Sequence, residues 1–524
     1  MKKIIINILL AGALMASSSS CSDFLDLNPT SKPSDDTFWK TEKDFDLALA
    51  SIYGQIRENE YFNDFYPLFD NLSDNSYDKN GCGNAQTICR GEIDPTTGGC
   101  IPDMFSKAYS AMARINKFIE QAEANTSLQP EVKKQMIGEG KFFRAYHHMW
   151  LYLLYGDVPV VQRLLTMDEQ YVAKSPAAEV YDKVMGDFDE AIDNLPDIVY
   201  STSGHITKGA AKAFKAKLLL QHAYDKGVPN KTELAEVITL LESIKGYSLQ
   251  PVYSDLFLTK AQESSPEIMF SIKNLAPSSC AKIDMYYTNW LHTCPLRNLV
   301  DEFELEGEGT WAGSELAAQV DEKALNGADT DLAAVERAKL FIGRDARLNA
   351  TIFHSLKPFP NIRMIAGETD YTGFGLYKYL QVPTTGDLLD GEVSEQDMIH
   401  MRYGYVLLMI AEAENEVNGP TPKVYDAVDA IRTRAGQNVL PKNLTQDQMR
   451  MRIRHEWRVE TAMEGLRYFE MKRWHTLGDI VNIADPKYTD YKPKFEERFY
   501  HWPLPQSEID KAGGILVQSP DYTK

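Results

Sequence analysis

The chain has 524 residues and carries 75 Asp and Glu against 55 Lys and Arg, a formal charge of −20. Such a surface repels polyanions, so nucleic acids and acidic membranes are poor partners, whereas neutral ligands are compatible with it. Apolar residues make up 44% and charged residues 25%, the balance of an ordinary globular protein; beyond the N-terminal leader no apolar run is long enough to span a bilayer.

At the N-terminus, Lys2 and Lys3 precede a short apolar run, 4–16, followed by Ser18, Ser19, Ser20 and Cys21. A charged start, a short apolar middle and small residues after it predict a secretory signal over residues 1–20. A cysteine at that point resembles a bacterial lipoprotein signal, in which the thiol is acylated after cleavage. The leucine usual three places earlier is absent, because Ser18 stands there. Ordinary secretion is the alternative.

Apolar residues at helical spacing then predict helices over 44–57 and 104–122. Another opens at Pro130 and stops at Gly156, with Phe143, Tyr146, Trp150 and Leu153 in one buried stripe. Helical patterns follow over 177–196, 207–225 and 232–244, the second with Ala210, Ala213 and Ala216 on one side, where another helix can approach closely. Paired helices spaced by roughly 34 residues resemble tetratricopeptide repeats, although the full consensus is absent. The expected class is all-α, a tetratricopeptide-like scaffold over about 40–249 and 396–480. Between its two parts, residues 250–395 are rich in Gly, Pro, Asn and Thr, with strand-like pieces at "EIMFSIK" and "TIFHSL". This portion reads as a large, irregular, loop-rich insertion. Helices are expected again over 396–419, 425–436 and 444–474, before a turn-rich tail, 481–524.

Five cysteines follow Cys21: Cys82, Cys89, Cys100, Cys280 and Cys294. No pair has the spacing of a structural zinc site. In an exported chain, Cys280 with Cys294 and two of the other three are candidate staples. Five free thiols in reducing surroundings are the equal alternative.

Four stretches, in order, resemble the SusD/RagB family of Bacteroidetes outer-membrane lipoproteins. These are "CSDFLDLNPTSKPSDDTFWKTEKD" after the leader, "MRYGYVLLMIAEAENEVNG", "RHEWRVETAMEGLRYFEMKRW" and the tail "YHWPLPQSEID…LVQSPDY". The resemblance implies one SusD-like domain over 21–524, anchored to the outer membrane at the cell surface by lipid on Cys21. It implies capture of oligosaccharides and their delivery to a SusC-like TonB-dependent transporter, without catalysis or a cofactor. Asp23 and Asp26 resemble the surface-export signal of these bacteria. Peptide capture, or a scaffold role, is the alternative within the same architecture.

A glycan binder needs aromatic rings for the C–H faces of sugars, beside polar groups for the hydroxyls. Two irregular stretches offer both. In 69–84, Tyr77 stands among Asp74, Asn75, Asp78 and Asn80; in 282–298, Tyr286, Tyr287 and Trp290 stand beside Asn289, His292 and Arg297. Trp311 adds a third aromatic position. The resemblance places ligand in these regions by location only, since individual residues vary. The candidate contacts are Trp290, Tyr287, Tyr286, Tyr77, Trp311, Asp74, Asn80 and Arg297.

The helix around His455 and Glu456 begins a zinc-protease HExxH pattern, but Val459 stands where the second histidine would be. Arg458, Glu460, Glu464, Arg467 and Arg473 are expected to form ion pairs between helices. His147 and His148, in an aromatic helix, are expected at a core or rim position and not as metal ligands. The stretch 76–81 resembles part of a calcium loop, yet Ser76 opens it and Thr87 holds its twelfth position, so no metal is expected. A glycoside hydrolase would need two carboxylates across a cleft, a pattern that counting acids cannot identify.

Overall fold

In the computed structural model, residues 38–523 are described apart from Asn80, Glu308, Ser355, 357–371, 381–392 and 484–490. The leader, Cys21 and Asn80 therefore lie outside the described residues. The long helices of the first part of the scaffold are α1 (Glu42–Arg57), α2 (Cys100–Ala124), α3 (Pro130–Tyr155), α4 (Ala177–Asn194), α5 (Lys208–His222) and α6 (Lys231–Glu242), with short helices at Ala85–Cys89 and Tyr200–Ser203 between them. The second part holds α8 (Tyr403–Asn418), α9 (Pro422–Arg434), α10 (Gln446–Glu460) and α11 (Arg467–Arg473). Between the two parts lies α7 (Thr330–Lys339). The protein is mainly helical, as expected, and none of the described helices is long and apolar enough to cross a membrane.

Each helix of α1 to α6 packs on its neighbour in sequence, and α8 packs directly on α6. The array thus resumes where it broke off, with α9 and α10 against α8. This succession is the arrangement that helical repeats use. Small residues set its spacing. A Cβ on Gly138 would lie 2.9 Å from Asn194 of α4, and one on Gly140 would lie 2.7 Å from Ile119 of α2. α3 stops at Gly156, whose φ of +73° suits glycine. Its stripe is the centre of the core. Trp150 is almost fully buried among Phe62, Phe69 and Phe469, with ring centroids 5.2–5.5 Å away.

There are eight short strands among the described residues: β1 (Ser76–Tyr77), β2 (Tyr224–Asp225), β3 (Val228–Pro229), β4 (Ile268–Ile272), β5 (Cys294–Pro295), β6 (Ile352–His354), β7 (Phe374–Leu376) and β8 (Met398–Arg402). They pair in twos, all antiparallel. β4 and β8 join the two ends of the insertion, Ile272 opposite Met398 and Ile268 opposite Arg402. Residues 398–402 are therefore strand, where helix was expected from 396 onward. Their five side chains are all buried, and a short apolar run of that kind does not distinguish strand from helix.

The insertion is also more ordered than expected. Besides α7 it contains helices at Thr259–Gln262, Arg297–Glu302, Glu322–Leu325 and Ala346–Thr351. Asp321, Asp329 and Asp345 cap three of these helices through side-chain acceptance of backbone N–H groups. Helices of four to six residues escape a periodicity window of eleven or more.

The single helix expected over 444–474 is two, α10 and α11. The chain turns between them at Met463 (φ +66°) and Gly465 (φ +72°). A Cβ on Gly465 would lie 2.7 Å from the Tyr66 carbonyl oxygen. Asp70 accepts from the backbone N–H of Gly465 at 2.6 Å and fixes the turn.

The predicted ion pairs are present and buried. Arg347 reaches Asp345, Glu456 and Glu460 at 2.7–3.1 Å. Arg402 reaches Glu267, Glu460 and Glu464 at 2.6–2.9 Å. Lys378 pairs with Glu464 at 3.0 Å, and Arg432 bridges Glu304 and Glu456. Arg473 holds Glu412, and Arg467 and Arg458 hold Asp74. Arg347 and Lys378 belong to the insertion and their partners on α10 and the turn after it to the scaffold, so charge joins the two.

Candidate functional site

The two stretches singled out in the sequence lie side by side. β1 and β5 zip them together, Tyr77 opposite Cys294 and Ser76 opposite Pro295. Asn71 donates to the His292 carbonyl oxygen at 3.0 Å, and the Leu296 N–H donates to the Asn75 carbonyl at 2.9 Å. Beyond this seam, residues Met285–Asn289 make one wide π-helical turn, closed by the Trp290 N–H on the Met285 carbonyl.

That turn presents Trp290, which is 49% exposed. Its ring meets Tyr286 edge-on at 5.6 Å, and Tyr286 lies 4.6 Å from Phe65. His292 packs 5.3–5.8 Å from all three rings. Burial pulls its imidazole down to about 4, so it is neutral at physiological pH. The result is an aromatic ledge of Phe65, Tyr286 and Trp290 with a neutral imidazole behind it. Asp64, beside Phe65, accepts from the Lys282 backbone at 2.8 Å, and burial raises its carboxyl to about 6. A ledge of this composition offers apolar faces and polar edges, and no group on it is placed as a nucleophile or an acid–base pair.

The other candidates take structural positions. Tyr287 is fully buried and donates to the Asp64 carbonyl at 2.7 Å. Tyr77 is 2% exposed and packs edge-on against Tyr491 at 5.0 Å. Trp311 is 2% exposed beneath the Arg344 guanidinium, 4.2 Å from the ring centre. None of the three has a face open to ligand. Asp74 accepts from Arg467 at 2.7 and 2.9 Å. Burial opposes its charge, but Arg458 and then Arg467 outweigh burial and hold the carboxyl below the usual range. Arg297 is engaged with Asp301 and Glu322 at 2.8 and 2.9 Å. Alternation of aromatic and polar letters cannot separate a ring that pins a loop from a ring that faces solvent. Phe65 was missed, because it lies just before the stretch 69–84, although Asn63 and Asp64 give it polar neighbours of the kind sought; its proximity to Tyr286 comes only from the fold.

His147 and His148 are buried, as expected. All five described cysteines are free and four of them buried, so the staple reading is not realised and the thiols stand. Glu304, His455 and Glu456 have ligand atoms within 4.8 Å of one another. Glu304 accepts from Arg432 and Arg452, and Glu456 from Arg347 and Arg432. A cation there would have to displace three guanidinium groups, so this set fits ion pairing and not a metal.

Residues 259–522 match the family model described as "SusD family", about half of the chain, and residues 23–220 match one described as "Starch-binding associating with outer membrane". The chain belongs to the SusD family. It is 24% identical to SusD-like protein P25 of Formosa agariphila, over 98% of each chain. It is 23% identical to a SusD-like protein of Bacteroides ovatus, covering 96% of this chain and 89% of the relative. Among solved structures, a SusD-like carbohydrate binding protein from Bacteroides fragilis superposes with a TM-score of 0.74 at 23% identity, over 92% of this chain and 99% of that one. Surface glycan-binding protein A from Bacteroides thetaiotaomicron, in complex with laminarihexaose, gives 0.69 at 17% identity, over 91% and 99%. At these identities the superpositions establish the fold.

Proposed function

We propose that this protein captures oligosaccharides at the cell surface on the ledge of Trp290, Tyr286 and Phe65. The observation that carries this reading is the exposure of Trp290, held by a π-helical turn among other rings while the remaining candidate aromatics are buried. Rings so held can stack on sugar faces with little ordering cost. A neutral glycan suits a chain of charge −20. Laminarihexaose, bound by a protein of the same fold, is neutral and supports the class. The protein acts by binding alone.

In this reading residues 21–524 form one ligand-binding unit, lipid-anchored at Cys21 on the outer membrane, which passes its cargo to a SusC-like TonB-dependent transporter. The "associating with outer membrane" description of the matching family model supports the location. A screen of the folded protein against plant, host and microbial glycans, laminarihexaose included, tests the ligand class. Binding of peptides but of no glycan would overturn it. Cys21→Ala should move the protein out of the membrane fraction in cells lacking the partner transporter; retention there would overturn the anchor.

A further inference from the structure

A second cavity, of about 390 Å³, shares no residue with the Trp290 ledge. Five segments converge on it: the last turn of α3, the end of α5, the β2–β3 hairpin, the end of α11 with the turn after it, and the tail near Tyr500. Its size falls in the range of small-molecule sites.

The backbone around it is held in uncommon conformations. Lys226 at the hairpin tip and His475 after α11 both have left-handed φ values, +47° and +56°. The hairpin presses on the turn after α11 so closely that a Cβ on Gly227 would lie 2.7 Å from the Trp474 carbonyl oxygen. Left-handed non-glycine residues persist where packing over-determines them. Two walls are rings already locked in stacks: His475 on Tyr500 at 4.5 Å and 11°, and His222 on Tyr181 at 3.8 Å and 16°.

The charge of the lining runs against the charge of the chain. Lys226, Lys472 and Arg473 line the cavity, with Glu497 as its one carboxylate, exposed and 3.4 Å from His475. Arg473 is satisfied by Glu412. The Lys472 ammonium donates to the Leu153 carbonyl, and no carboxylate of the described residues lies within ion-pair distance of it or of Lys226. Burial pulls Lys472 down to about 7. With only the Leu153 carbonyl and, 5.4 Å away, the Tyr468 ring beside it among the described residues, the amine keeps its proton at a cost that a bound anion would remove.

We propose that this cavity binds a small organic carboxylate, its ring-sized body between the aromatic walls and its carboxylate on Lys472 and Lys226. A neutral sugar would leave the Lys472 amine without a counter-charge and make no use of the Lys226 charge at the rim, and an inorganic anion would make no use of the rings.

The test is calorimetric titration of the folded chain with two ring-bearing acids, glucuronate and benzoate, each beside its neutral counterpart, glucose and benzyl alcohol. One acid should bind at least about tenfold more tightly than its counterpart, and the preference should identify an acid sugar or an aromatic acid. Lys472→Met and Lys226→Glu should each weaken that binding about tenfold or more. Lys226 is exposed at a hairpin tip, so Lys226→Glu carries the test if Lys472→Met fails to fold. Absence of binding by either acid at about 10 mM, equal binding of the neutral counterparts, or affinity unchanged in Lys226→Glu would each overturn the proposal. So would full displacement of the acid by an equal concentration of inorganic phosphate.

Discussion

Tyr286 and Trp290 meet edge to face at 5.6 Å, with ring planes 65° apart, on either side of one π-helical turn. Each limits the motion of the other, and Phe65 supports the pair from the opposite stretch of chain. The turn therefore presents a fixed surface instead of two loose side chains.

Trp290→Ala should weaken glycan binding roughly tenfold or more while moving stability by no more than about 0.5 kcal/mol, because the ring is half exposed. Tyr287→Phe should do the reverse. It removes a buried hydrogen bond to the Asp64 carbonyl, at a cost of about 1 kcal/mol in stability. Calorimetric titration beside melting curves separates the two, and a large fall in melting temperature for Trp290→Ala would return that ring to the core.

Trp150→Ala should cost about 3–5 kcal/mol, since the indole fills the space between α3, Phe62, Phe69 and Phe469. Urea unfolding measures it, and a loss below about 1 kcal/mol would contradict the packing described.

Arg402→Met should destabilise by about 3–5 kcal/mol, because Glu267, Glu460 and Glu464 would keep their charge in the interior with one cation fewer. Adding Glu464→Gln to Arg402→Met should cost less than the sum of the two single changes. A double-mutant cycle by chemical denaturation reads the coupling; strict additivity would mean the pair is insulated by other partners.

His400 donates its Nε2–H to the Phe62 carbonyl at 2.7 Å, which leaves Nδ1 to accept from the Tyr146 hydroxyl at 2.8 Å. Burial lowers its pKa to about 3. The unfolded chain takes up this proton near pH 6.5 and the folded chain does not, so stability is full above that value and is lost as pH falls toward 3. The loss from this one group is about 2 kcal/mol at pH 5. Asp64 and Asp70, raised to about 6, and Glu470, raised to about 7, act in the opposite direction. The measurement is therefore a difference: His400→Gln should lose less stability than the parent between pH 7.5 and pH 5. Identical losses would show that His400 is protonated in the folded state.

The long helices were legible because burial on one face repeats every third or fourth residue for several turns, as it does from Met104 to Ala122; α3 is instead buried all round from Gly138 to Leu151, so its four-residue stripe is only part of what it covers. The ion pairs were legible because charged residues such as Arg458, Glu460, Glu464 and Arg467 recur among the apolar residues of one stretch, here the end of α10 and the turn after it. The strand at Met398–Arg402 was not, because burial on both faces removes alternation. Of the ledge, Trp290 and Tyr286 could be read from their polar neighbours. Tyr287 could not be told apart from them, since adjacent residues on a helical turn point in different directions and only the partner surface decides which one is covered. Phe65 depends on a contact across more than 200 residues of chain, which no local pattern encodes.

The charges that join insertion to scaffold limit what could replace the insertion. β4 and β8 make the insertion an exchangeable cassette with both ends at one place, so a foreign cassette meets little penalty from loop closure. Its limit is electrical. A cassette without cations at the positions of Arg347 and Lys378 would leave Glu456, Glu460 and Glu464 with fewer buried cations, only Arg402, Arg432 and Arg434 of the scaffold remaining to pair them. The ligand face of this chain is free to change only where Arg347 and Lys378 keep their register with the scaffold's carboxylates, and Glu267 and Glu304 theirs with its arginines.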